Sequence, residues 1–71
     1  MGIMKLSARN QLPGTIEQIH LGGIMARIVL KVGDNTIESV ITRQSVEELG
    51  LKEGDTVLAV IKSTEVMIQK G

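Results

Sequence analysis

Among the 71 residues of the chain there is no phenylalanine, tyrosine or tryptophan. These are the side chains that bury the most area each, and a domain this short already buries a smaller share of its surface than an average one. Small folds often compensate with disulfides or thiolate-bound metals, but the chain has no cysteine. Oligomerisation is the remaining ordinary route to stability. The sequence therefore predicts one domain spanning residues 1–71, whose subunits share a core.

Eight Lys and Arg residues balance eight Asp and Glu, so no broad basic field exists to draw in nucleic acid or anionic lipid. No apolar run approaches the roughly 20 residues of a membrane span, and none has the layout of a signal peptide. The lack of cysteine fits a cytoplasmic location. Met4 follows "MGI", which suggests that residues 1–3 are a non-native extension before the natural start.

Glycine punctuates the chain at Gly14, Gly22-Gly23, Gly33, Gly50 and Gly54, cutting it into pieces of strand length. In "MARIVLKV" (25–32), Ala26, Ile28, Leu30 and Val32 share one face, with Arg27, Val29 and Lys31 on the other. That alternation predicts a half-buried strand. "GDN" (33–35) offers a turn into "TIESVIT" (36–42), completing a hairpin. "SVEELG" breaks the pattern: Ser45 and Glu48 have capping-box spacing and Gly50 suits a left-handed C-terminal position. "KEGD" makes a further turn, followed by strands at "TVLAVI" and "EVMIQ". With a first strand around 5–12 and a second around 14–21, the expectation is five or six short strands and one small helix in a small closed barrel.

Charge is unevenly spread. No acid occurs before Glu17, although Lys5 and Arg9 are present, and none occurs from Thr56 to Thr64, where Lys62 precedes Ser63 and Thr64. On a strand, Ser7 and Arg9 point to the same side, with the small Ala8 turned away between them. An arginine fork matches the edge of a tetrahedral oxyanion. In "KST" a point charge, hydroxyls and successive backbone N–H groups can form an anion-binding concavity. Taken alone, these are also the marks of ordinary surface cations and turn-forming polar residues.

"SARNQLPGTI", "VITRQSVEELGLKEGD" and "AVIKSTEVMI" together resemble the molbindin (Mop) family of small molybdate- and tungstate-binding proteins. The resemblance covers about residues 4–70, with the motifs in the family's order and spacing. It implies an all-β subunit with one short helix, an OB-like barrel. Subunits would pair by strand exchange, and three pairs would make a homo-hexamer. It further implies an oxyanion site between paired subunits, with Ser7, Ala8, Arg9, Lys62 and Ser63 from one chain and the Thr42 hydroxyl from the facing one. Asn10 would support the local turn. A second family site lies near the threefold axis, around "HLGG". Here His20, Gly22 and Gly23 are its candidates, and His20 with Leu21 stands where relatives often carry lysine. Any anion binding there would be pH-dependent, because imidazole gains its charge only in mildly acid solution.

One histidine, no cysteine and no tyrosine leave little from which to assemble a nucleophile and its base, so the chain is not expected to be an enzyme. No ligand spacing for a protein-bound metal cation is present. An OB-fold that binds single strands stacks bases on aromatics in a basic groove, and this chain has neither. A swapped-hairpin DNA-binding or transcription-regulator module is the alternative, although it would want a basic stripe. The resulting expectation is a cytoplasmic oxyanion binder that stores molybdate or tungstate, without nucleic acid or membrane partners.

Overall fold

The computed structural model describes residues 9–71. The elements are β1 (Asn10–Leu21), β2 (Met25–Val32), β3 (Asn35–Thr42), α1 (Arg43–Leu49), β4 (Thr56–Ile61) and a 3-10 turn (Ser63–Glu65). The four strands make one antiparallel sheet in the order β3-β2-β1-β4. No helix among the described residues is long and apolar enough to cross a membrane.

The alternation in β2 does what its period requires: Ala26, Ile28 and Leu30 are buried on one face. Ile16 from β1, Ala59 from β4 and Val46 from α1 complete the core, with Ile19, Ile37, Ile41, Leu51 and Val57 packed around it. Val29 faces the other way and is nonetheless buried, beneath a surface that carries the Arg27–Glu38 ion pair at 3.4 Å. The β2–β3 hairpin turns at Gly33-Asp34, between the paired Val32 and Asn35, and Gly33 takes the positive φ (59°) that favours glycine there.

Three expectations are corrected. The two strands expected at 5–12 and 14–21 are, among the described residues, a single strand that runs through Pro13 and Gly14. Proline is tolerated because β2 joins β1 only from Thr15 onward, while Pro13 pairs with Leu58 on the β4 side alone. On the β2 side it has an edge strand's freedom from a partner. Gly14 lets the backbones close up, since a Cβ there would lie 2.8 Å from both the Lys31 carbonyl oxygen and Val32 Cγ2. β1 then bulges at Glu17, where the pairing steps from Ile16↔Leu30 to Gln18↔Val29. The β4 approach braces this bend: Ile16 N–H donates to the Asp55 carbonyl, Gly54 N–H to the Ile16 carbonyl, and Ile19 N–H to Glu53 Oε2.

The helix starts three residues earlier than its capping-box spacing implies. Thr42 is the N-cap, accepting from Ser45 N–H at 3.0 Å, while Glu48 bonds Gln44 at 3.3 Å and not a cap backbone. The C-terminal reading holds: Gly50 is left-handed, and Leu51 N–H returns to the Val46 carbonyl. Third, "EVMIQ" is not a strand within this chain. After the 3-10 turn the chain continues without a sheet partner, and Val66, Met67 and Ile68 are exposed. The all-β class with one short helix is as expected. Within one chain, however, β3 and β4 are not bonded to each other. They flank an open apolar groove of about 620 Å³, lined by Ile37, Ile41, Val57 and Ile61 over the core residues Ile28 and Leu30.

Candidate functional site

The β1–β4 register brings together one group of the candidate residues. Asn10 pairs with Ile61 at the end of the ladder, so the next residues outward are Arg9 and Lys62, two exposed cations at neighbouring strand ends. The Asn10 side chain fixes this end: its Nδ2 donates to the Ile61 carbonyl at 3.2 Å, in a partly buried setting. Asn10 thus acts as structural support, although it braces the β4 end and not a turn of its own. Beyond Lys62 the chain tightens into the 3-10 turn, where Glu65 N–H donates to the Lys62 carbonyl at 2.9 Å. The leading N–H groups of such a turn have no acceptor within it. They follow Lys62 directly in the chain, in the same stretch as the Ser63 hydroxyl. Neither Arg9 nor Lys62 forms an ion pair with a described residue. Two cations at neighbouring strand ends favour an anion at this end of the sheet. Ser7 and Ala8 lie outside the described residues.

Thr42 is at the opposite end of the sheet. It closes β3, paired with Met25, beside the turn that follows Leu21 at the far end of β1. β1 is 12 residues long, roughly 40 Å of strand path at the usual rise, and β3 and β4 are opposite edges of the sheet. One chain therefore does not bring Thr42 to Arg9 and Lys62. His20, Gly22 and Gly23 cluster at the Thr42 end. His20 is exposed, with Nε2 2.8 Å from Gln18 Oε1. Gly22 N–H donates to the Met25 carbonyl at 2.8 Å, closing the turn.

The sequence pattern assigned Ser45 only a capping role, and the geometry gives it another. Thr42 Oγ1 accepts from Ser45 N–H and donates to Ser45 Oγ at 2.7 Å, so the Ser45 hydroxyl proton is left to a third group. If the two rotors reverse, Thr42 presents its proton instead. Either way the pair offers one outward O–H from a position fixed by the helix start. The spacing Thr42-x-x-Ser45 was the available signal. It was masked because Ser45 and Glu48 also fit the capping pattern.

Known proteins share this sequence and this fold. The TOBE domain model matches residues 6–68. Molybdenum-pterin-binding protein 1 of Clostridium pasteurianum is 54% identical over 66 residues, covering 92% of this chain and 97% of the relative. A molybdate-binding protein from Sporomusa ovata superposes with a TM-score of 0.91 at 40% identity, covering 94% of this chain and all of the other. The cytoplasmic molybdate-binding protein ModG, solved with molybdate bound, superposes at 0.79 with 43% identity, over 84% of this chain and 43% of its own. Matched over nearly its whole length in both sequence and fold, the chain belongs to the TOBE domain family, among its molbindin (Mop) members.

Proposed function

We propose that this protein binds molybdate or tungstate as the bare oxyanion, in pockets shared between copies of the chain, and that it stores the anion in the cytoplasm without catalysing a reaction. The observation that carries this reading is the placement of Arg9 beside Lys62, braced by the Asn10–Ile61 bond and without an acidic partner among the described residues. The guanidinium and ammonium supply charge-assisted donors, and Ser63 adds a neutral one. The hydroxyl pair Thr42–Ser45 supplies a further O–H, but only from a second copy, because its own sheet end is remote. The bulk of sulfate sets it apart from the larger oxyanions only through pocket size, since all three are tetrahedral dianions.

The open groove between β3 and β4, together with the exposed run Val66, Met67 and Ile68, supports a homo-hexamer built from strand-exchanged pairs. An isolated chain leaves a large apolar surface uncovered. The relative's name mentions a pterin, yet this chain has no aromatic side chain on which a pterin could stack. The DNA-binding alternative is not favoured, since the net charge is zero and the named relatives bind molybdenum species.

Calorimetric titration of one sample with molybdate, tungstate, sulfate and a free pterin tests the reading. Saturable binding of the first two is expected, with sulfate much weaker and pterin silent. Equal affinity for sulfate would overturn it. Light scattering should report about six subunits, and a stable monomer would remove the shared pocket.

A further inference from the structure

Arg43 stands next to Thr42 and makes contacts that the oxyanion reading does not use. Its backbone N–H donates to the Ile24 carbonyl at 2.8 Å, extending the β2–β3 ladder past its last pair. Its guanidinium then spans two elements: Nη1 donates to the Gly22 carbonyl at 3.2 Å, and Nε donates to Glu47 Oε2 at 3.4 Å. A cleft of about 420 Å³ lies between the β1–β2 turn and the helix start, lined by Gly23, Ile24, Thr42 and Gln44 with Arg43 and Glu47. The turn itself carries two adjacent glycines, whose backbones restrain it little. Beyond the Ile24 backbone bond, the Gly22 end of the turn is tied to the helix by the Arg43 guanidinium.

From this geometry we infer that Arg43 is a positioning residue, a two-pronged strap that makes the Gly22–Ile24 turn and the Thr42–Ser45 hydroxyl pair move as one unit. An arginine suits the task because its planar fork can address a carbonyl and a carboxylate at once, whereas a lysine is a single flexible point of donation. The consequence is that an anion engaging Thr42 and Ser45 is felt at the β1–β2 turn, where His20, Gly22 and Gly23 sit. This inference rests on the oxyanion reading for its ligand, but concerns a link which that reading does not require.

Backbone amide NMR of the assembled protein, titrated with sodium molybdate, tests it. Molybdate is expected to shift the amides of Ser45 and Ser63, and also those of Gly22, Gly23 and Ile24. In Arg43→Met, the Ser45 and Ser63 shifts should persist, the turn shifts should fall below about half their size, and affinity should drop by about two- to threefold. Arg43→Lys keeps the charge without the fork and should also lose the turn shifts. Turn shifts of full size in either variant would overturn the strap, placing the effect in charge alone or in direct binding at the turn. A wild-type turn that does not respond while Ser45 and Ser63 do would also overturn it. Silence at every amide would instead refute the oxyanion reading itself.

Discussion

Asn10 and Ile61 face each other at the end of the β1–β4 ladder, and the Asn10 carboxamide donates to the Ile61 carbonyl at 3.2 Å. The bond is small, yet it sits one residue inside two exposed cations, Arg9 and Lys62. Without it, the strand ends bearing Arg9 and Lys62 would be free to part. Asn10→Ala is expected to cost about 0.5–1.5 kcal/mol of stability and to weaken molybdate binding severalfold. Asn10→Asp should weaken binding more than Asn10→Ala, because it adds a carboxylate beside the anion. Calorimetry on the two variants gives the order, and binding by Asn10→Asp as tight as wild type would remove the pocket from this corner.

The cations themselves should dominate affinity. Hydrogen bonds to charged groups contribute about 1.5–3 kcal/mol each, so Arg9→Ala and Lys62→Ala should each weaken molybdate binding tenfold or more. Lys31→Ala, at an exposed position of β2, and Arg27→Ala, whose partner is Glu38, should change it by less than about twofold. Four equal affinities would mean that the site lies elsewhere.

Thr42 caps the helix and, in the proposed pocket, also supplies a hydroxyl. Thr42→Val loses the cap to Ser45 N–H, costing about 1 kcal/mol of stability, and it also loses the hydroxyl offered to the anion. Thr42→Ser should keep both. Because Thr42 and Arg9 occupy opposite ends of the sheet, mixed assemblies of Thr42→Val and Arg9→Ala chains should contain some intact pockets. They should bind molybdate better than either variant alone once subunit exchange has been demonstrated by mass spectrometry. Exchange without recovery would show that the pocket is not shared.

Gly14 is a close approach between β1 and β2. A Cβ at this position meets backbone at 2.8 Å, and the Lys31 carbonyl cannot move without breaking the ladder. Gly14→Ala is expected to destabilise by about 1–3 kcal/mol, read as a lower urea midpoint. Gly23→Ala, where a Cβ meets nothing within 4 Å, is the control and should shift the midpoint much less.

Much of the molecule was readable from local pattern. The period-two alternation of residues 25–32, the β-branched run before Thr42, Gly33 as a turn and Gly50 as a helix terminator depend on backbone sterics and side-chain direction, which are properties of neighbours in sequence. So were the two donor-rich, acid-free segments around Arg9 and Lys62, because charge is written in the residues themselves. What only the tertiary structure decided depends on residues distant along the chain. Pro13 and Gly14 resemble a strand break until the register shows that β2 stops short of Pro13 and crowds Gly14. Ser45 resembles a cap until Thr42 takes that role from the end of a strand. "EVMIQ" has a strand's composition, but composition does not supply a partner, and among the described residues it bonds to neither edge of the sheet. Arg9 and Lys62 lie at neighbouring strand ends because Asn10 pairs with Ile61, 51 residues away, while the same topology sends Thr42 to the opposite end of the sheet. Local sterics set the elements, and long-range register set which donors could face one anion.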